Sequence, residues 1–307
     1  YEICALIALE KQGPSLKSID IAREWMNLLY TQNFTAERVA LKNLRAGIPP
    51  PKSGTHQNIW YDAIGAQMRA DIWGLITPGC PQLAREYAEM DGCISHAGIG
   101  IQGEIFIAVL ISLSFFLSNI RAVIEKGLEF LPPGKGSLYT LMVRKALCIY
   151  EEFPNDFRKG RCELMKYWNR IRWSQLIKGG TLFSLRYVKF LNKIMSGVHV
   201  LPNIGIIILS LLYGAQDEED PLGRSICIAG MMGLDTDCNC GNIGAILGAQ
   251  RGARNIPLKW KAPLKDTFST YVKGYEKWKI TELSRRISIV GKKVVEHRAK
   301  GLLKIHD

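Results

Sequence analysis

Long apolar runs are the first thing this sequence lacks. Its two most hydrophobic stretches, Ile105 to Leu117 and Asn203 to Tyr213, fall short of the roughly 18 to 20 residues needed to span a bilayer, and Glu104 abuts the first. Both read as buried helices. The basic, apolar and small-residue succession of a signal peptide is missing where Tyr1 opens directly onto the helical pattern Ile3, Cys4, Leu6, Ile7 and Leu9. That opening gives the expectation of a chain cut from a longer protein. Eight cysteines, at 4, 80, 93, 148, 162, 227, 238 and 240, follow no disulfide framework and read as the reduced thiols of a cytoplasmic protein. Cys238-x-Cys240 is too tight for a zinc pair. Sustained alternation bounded by hairpin turns is missing, as are internal repeats and low-complexity tracts.

What is present is helical periodicity on an ample apolar budget. A 47% hydrophobic composition over 307 residues supports a buried core and argues against disorder. Helical patterns cover about 19–30, 35–40, 62–72, 81–91, 101–118, 137–151, 203–213, 223–231, 239–250, 266–276 and 280–297. The predicted fold is all-α, in one compact domain spanning 1–307. Breaker-rich or acidic loops fall at Gly47 to Thr55, Pro132 to Gly136 and Gln216 to Pro221.

The net charge of +12 is concentrated in one stretch, since Arg158 to Lys193 holds ten Lys or Arg residues and a single acid, Glu163. Tyr167, Trp168, Trp173, Phe183, Tyr187 and Phe190 are interleaved with them. Such a mixture suits nucleic acid. A solvated basic face is the reading preferred over a nucleic-acid interface, and residues 154–195 are expected to be an atypical basic insertion or a segment foreign to the domain.

The residues Gly233-Leu-Asp-Thr-Asp-Cys-Asn239 carry the clearest chemistry. They set two carboxylates, Asp235 and Asp237, before the glycine-studded helix containing Gly241, Gly244 and Gly248. Paired carboxylates provide the hard oxygen donors that Mg²⁺, Mn²⁺ or Ca²⁺ prefer, although the same pair also suits a solvated turn or a helix cap. The three glycines are expected to admit close backbone packing. Ser95, His96, Gly98, Gly100, Gly103 and Glu104 supply small and polar residues ahead of an apolar helix, where backbone amides can approach an anion. Capping or core roles remain open for His96 and Glu104. His199 and Asn203 flank Pro202 before another apolar helix and can either cap it or reach a ligand. Arg69 and Asp71 can pair with each other or with Asp91.

Four motifs follow one another: Ile64-Gly-Ala-Gln-Met-Arg-Ala-Asp71, Asp91-Gly-Cys-Ile-Ser-His-Ala-Gly-Ile-Gly-Ile-Gln-Gly-Glu104, His199-Val-Leu-Pro-Asn203 and Gly233-Leu-Asp-Thr-Asp-Cys-Asn239. In that order they resemble the ADP-ribosylglycohydrolase family, over about residues 1–152 and 196–290. The resemblance implies an orthogonal multi-helix fold around a cleft with two Mg²⁺ or Mn²⁺ ions, and hydrolysis of the bond joining C1″ of ADP-ribose to an acceptor. By that resemblance Asp235, Asp237 and, weakly, Cys238 are metal ligands. Ser95, His96, Gly98, Gly100, Gly103, Glu104, His199 and Asn203 become ligand-binding residues. A Thr-Asp-Asp-Thr motif and an upstream glutamate, which complete the cage in relatives, are not in this sequence, and the general base is expected upstream of Tyr1. The resemblance implies an ADP-ribosylated protein or an ADP-ribose conjugate as partner, with no membrane role and a monomeric state. An inactive member that binds ADP-ribose or a partner is the alternative, and a basic nucleic-acid binder a further one.

Overall fold

The computed structural model describes residues 1–30, 33–133, 136–178 and 197–299. Among these residues fifteen α-helices and one two-stranded hairpin form the regular structure, so the fold is all-α as expected. The first eight helices are α1 (Glu2–Gln12), α2 (Ser18–Leu28), α3 (Thr35–Arg45), α4 (Lys52–Thr55), α5 (Asp71–Leu75), α6 (Pro81–Gly92), α7 (Ile99–Ser114) and α8 (Ile120–Gly127). The remainder are α9 (Leu138–Glu152), α10 (Phe157–Lys178), α11 (Val200–Gly214), α12 (Pro221–Met232), α13 (Thr236–Arg251), α14 (Leu258–Lys261) and α15 (Ile280–Arg298).

Two helices organise the core because they are apolar all round rather than on one stripe. Every residue of α11 is buried, and so is every residue of α7 from Gly103 onward. A helix without a polar face must be surrounded. Accordingly α5, α6 and α13 pack on α7, while α9, α10, α12 and α13 pack on α11. Neither helix is long enough and apolar enough to cross a membrane, nor is any other helix of the described residues. α13 touches both central helices, so the aspartate motif at its start is fixed against the middle of the molecule.

Two helix expectations are corrected. The segment 62–72 is mostly turns, with a 3₁₀ helix at Gln67–Arg69 and α-helix only from Asp71. Its backbone is claimed by another strand of chain: Ile64 N donates to the Val198 carbonyl at 2.9 Å and Val200 N to the Asp62 carbonyl at 3.3 Å, which competes with a continuous helix. Residues 266–276 are not helical either. Thr267–Ser269 forms β1 and pairs antiparallel with β2, Lys277–Lys279, around a turn in which Gly274 has φ +78°. Threonine, tyrosine and valine at 270–272 favour extended backbone over helix.

The basic stretch is in part a packed element. In α10 the Trp168 indole is 2% exposed and its ring lies 4.6 Å from the His199 ring, whereas Trp173 is 58% exposed. The remainder of that stretch, 179–196, lies outside the described residues.

Candidate metal centre

The start of α13 is built by a sharp reversal. Gly233 and Leu234 both take left-handed backbone, at φ +79° and +65°. Glycine does so freely, but for leucine the conformation costs about 1–3 kcal/mol and must be held by its surroundings. Asp235 then serves as the N-cap and Asp237 falls in the first turn. Ligand atoms of Asp235, Asp237 and Cys238 all lie within 4.8 Å of one another. The positive end of the helix dipole favours ionised carboxylates here.

Electrostatics show what this cluster lacks. Burial, reinforced by the neighbouring Asp237 carboxylate, raises the proton affinity of Asp235. Burial and then the two aspartates push the Cys238 thiol far above the ordinary thiol range. A thiol that keeps its proton is a poor ligand for a hard cation, so the two carboxylates are the donors suited to Mg²⁺ or Mn²⁺. A bound cation would relieve the repulsion between them. Two carboxylates supply only part of a six-oxygen coordination sphere.

Asp237 and Cys238 form one wall of a cavity of about 700 Å³, within the range of ligand pockets. The lining also draws on both ends of the described chain: Tyr1, Glu2 and Leu6 at its start, Phe268 and Tyr271 of the hairpin region, and Leu283 and Ile287 of α15. Glu2 and Asp71 add two further carboxylates to the lining. Glu2 Oε1 accepts the Ile72 amide at 3.1 Å, and Asp71 Oδ1 accepts from Asn242 Nδ2 at 2.9 Å. Asp71 is therefore not the partner of Arg69. Burial first, and then the Glu2 charge, raise its proton affinity well above the usual carboxylate range.

Arg69 reaches the cavity lining but is committed behind it. Its Nε donates to Asp91 Oδ2 at 2.8 Å and its Nη1 to Glu37 Oε1 at 3.1 Å, with Glu104 Oε2 3.7 Å from Nη2. Trp73 Nε1 donates to both Asp91 and Glu104, at 3.2 and 3.0 Å. Three buried acids thus share one guanidinium. Burial and the adjacent Asp91 raise the proton affinity of Glu104 well above the ordinary range.

None of the expected ligand-binding residues lines this cavity, and all but Gly98 are buried. Ser95 Oγ and His96 Nδ1 are 2.7 Å apart, with both side chains buried. Burial, and secondarily Arg69, lower the pKa of His96 well below the usual histidine value. Glu104 belongs to the Arg69 cluster. Gly98 caps α7 at φ +55°. A side chain at Gly100 would run into the Tyr61 carbonyl, and one at Gly103 would press on Val200 and Gln67. His199 caps α11, accepting the Leu201 amide on Nδ1 at 3.2 Å. Asn203 is wholly buried, and its Oδ1 accepts the Asp235 amide at 3.2 Å.

The three glycines of α13 do not play the packing role expected of them. A Cβ added at Gly241, Gly244 or Gly248 meets nothing within 4 Å, so no neighbouring backbone presses on them. Gly241 instead leaves open space in the cavity wall beside Cys238. Motif reading passed over Glu2, Glu37, Asn239 and Asn242. Asn239 and Asn242 stand three residues apart, which puts both on the buried face of α13 and offered the one usable signal. Glu2 and Glu37 look like ordinary first-turn acids in sequence.

The chain as a whole matches a protein family described as ADP-ribosylglycohydrolase, over residues 3–294. A search of curated proteins finds no match.

Proposed function

The chain belongs to the ADP-ribosylglycohydrolase family, and from that premise we propose that it takes part in hydrolysing the glycosidic bond between ADP-ribose and an acceptor, with Asp235 and Asp237 holding a divalent cation. The observation that carries this reading is the convergence of the Asp235 and Asp237 donors at the edge of the 700 Å³ cavity. When bound, Mg²⁺ or Mn²⁺ would orient ribose hydroxyls and polarise a water molecule.

The chain's own residues have separable parts in this scheme. Asp235 and Asp237 supply hard oxygen donors. Glu2, Asp71 and Asp237 line the cavity as acidic residues, and an ionised carboxylate among them favours the positive charge that develops on the sugar ring as the C1″ bond breaks. Phe268 and Leu283 add apolar surface to the lining. Ser95, His96 and Glu104 are buried outside the lining, with Glu104 beside Arg69, which reaches it. The acceptor is a protein side chain or a small molecule.

A second reading has its own support, because only two suitable metal donors converge among the described residues. It makes the chain an ADP-ribose binder without turnover. Release of ADP-ribose from modified arginine and serine peptides, with and without Mn²⁺, separates the two. The proposal expects Mn²⁺-dependent release by the wild type and none by the double variant Asp235→Ala, Asp237→Ala. Unchanged release in the variant sinks the metal assignment, and binding of ADP-ribose without release supports the second reading.

A further inference from the structure

We infer that Asn203 is a positioning residue for the metal centre: it makes no contribution as a ligand but fixes the turn from which Asp235 and Asp237 project. The inference rests on the metal reading above and concerns what makes that pair of carboxylates converge.

The Asn203 amide is fully used. Its Nδ2 donates to the carbonyls of Gly197 and His199, at 2.7 and 2.9 Å, and its Oδ1 accepts from the Asp235 backbone amide and from Asn239 Nδ2, at 3.2 and 2.9 Å. Two donors meet two carbonyls and one acceptor meets two N–H groups, which settles the orientation of the amide. A side chain with four protein partners and no exposed surface has nothing left to offer a ligand.

The four bonds join two loops that are distant in sequence. One precedes α11; the other is the Gly233–Leu234 reversal, with its two successive left-handed residues. Leucine holds such a backbone only where neighbouring groups determine it, and the Asp235 amide held by Asn203 comes immediately after. Asp235 makes no side-chain capping bond of its own to the helix it opens. Asn203 therefore supplies the acceptor that holds the Asp235 backbone N–H at the opening of the helix. Asn239, one turn into α13, is tied to the same oxygen, so both ends of the Asp235-to-Cys238 segment share one anchor.

Outer-shell partners of this kind typically change metal affinity by about 10- to 100-fold when removed. The test is Mn²⁺ titration of the full chain followed by the free-ion electron paramagnetic resonance signal, with urea unfolding of each variant in parallel. Asn203→Ala is expected to bind Mn²⁺ about 10- to 100-fold more weakly than wild type, with an altered bound-ion line shape. Thr140→Val removes a buried hydrogen bond to the Pro132 carbonyl far from the turn, and should lower stability while leaving Mn²⁺ affinity unchanged. If Asn203→Ala does not fold, Asn239→Ala carries the test, with weakening of about tenfold expected. Equal affinities in wild type and the asparagine variants overturn the inference alone. Equal weakening in Thr140→Val also overturns it, since loss of stability would then explain the effect. A wild type that binds no Mn²⁺ overturns the metal reading itself.

Discussion

Arg69 Nε donates to Asp91 Oδ2 at 2.8 Å, and both side chains are only 2% exposed. Glu37 lies on the other side of the same guanidinium. Removing the cation leaves buried carboxylates without compensation, which typically costs about 3–5 kcal/mol. Arg69→Ala is therefore expected to lose stability on that scale, read as a fall in the urea midpoint at unchanged slope.

Glu104 makes the fold lose stability as pH rises. Burial and the adjacent Asp91 raise its pKa from the ordinary 4.5, so between that value and the raised one the native state keeps a proton that the unfolded chain has lost. Stability then falls as pH rises through this window. Glu104→Gln retains an oxygen for Trp73 Nε1 and carries N–H groups for Asp91. Its thermal midpoint should fall less than that of wild type as pH rises above 4.5; parallel curves would remove Glu104 as the source.

His96 gives the opposite limb. Its pKa is lowered well below 6.5 by burial and by Arg69, so in acid the unfolded chain takes up a proton that the native state refuses. Stability should fall as pH drops below 6.5. His96→Gln, which cannot titrate, is expected to show a shallower loss between pH 6.5 and pH 5 in the same melting series.

The carboxylate pair predicts a crossover. Without metal, Asp237→Asn removes a repulsion from the start of α13 and should melt no lower than wild type. With Mn²⁺ at one hundred times its dissociation constant, wild type should gain about 2.7 kcal/mol, and the variant little. Equal Mn²⁺ shifts in both proteins would place the ion elsewhere.

Two glycine substitutions should act in opposite directions. Gly244→Ala adds a methyl group to open space on α13 and removes the backbone freedom of glycine, for a gain of up to about 1 kcal/mol. Gly100→Ala drives its methyl group into the Tyr61 carbonyl and should cost about 1–3 kcal/mol. Urea midpoints of the two variants measure both.

Much of this architecture can be read directly from residue order. The apolar runs at 105–117 and 203–213 became the two central helices, since a stretch with no polar face has only one stable location. The Asp235 and Asp237 pair was legible from its spacing and the motifs around it. Asn203 was legible as important, but not as an anchor, because its partners come from residues 197, 199, 235 and 239 and only folding brings them together. Asp71 illustrates the same limit: Asn242, its partner, lies 171 positions away. The hairpin at 267–279 was hidden because its strands are three residues each, too short to alternate visibly.

The cavity is walled by the first and last helices of the described chain. α1 presents an unbroken buried run from Ile3 to Leu9, and Arg286 of α15 is bound to Glu10 of α1. α1 also packs against α2 and α5, so α15 closes one side of an element that its neighbours in sequence already cover. The Arg286–Glu10 pair joins positions 276 residues apart, so the shape of the cavity depends on contacts that close the chain on itself rather than on any one local element.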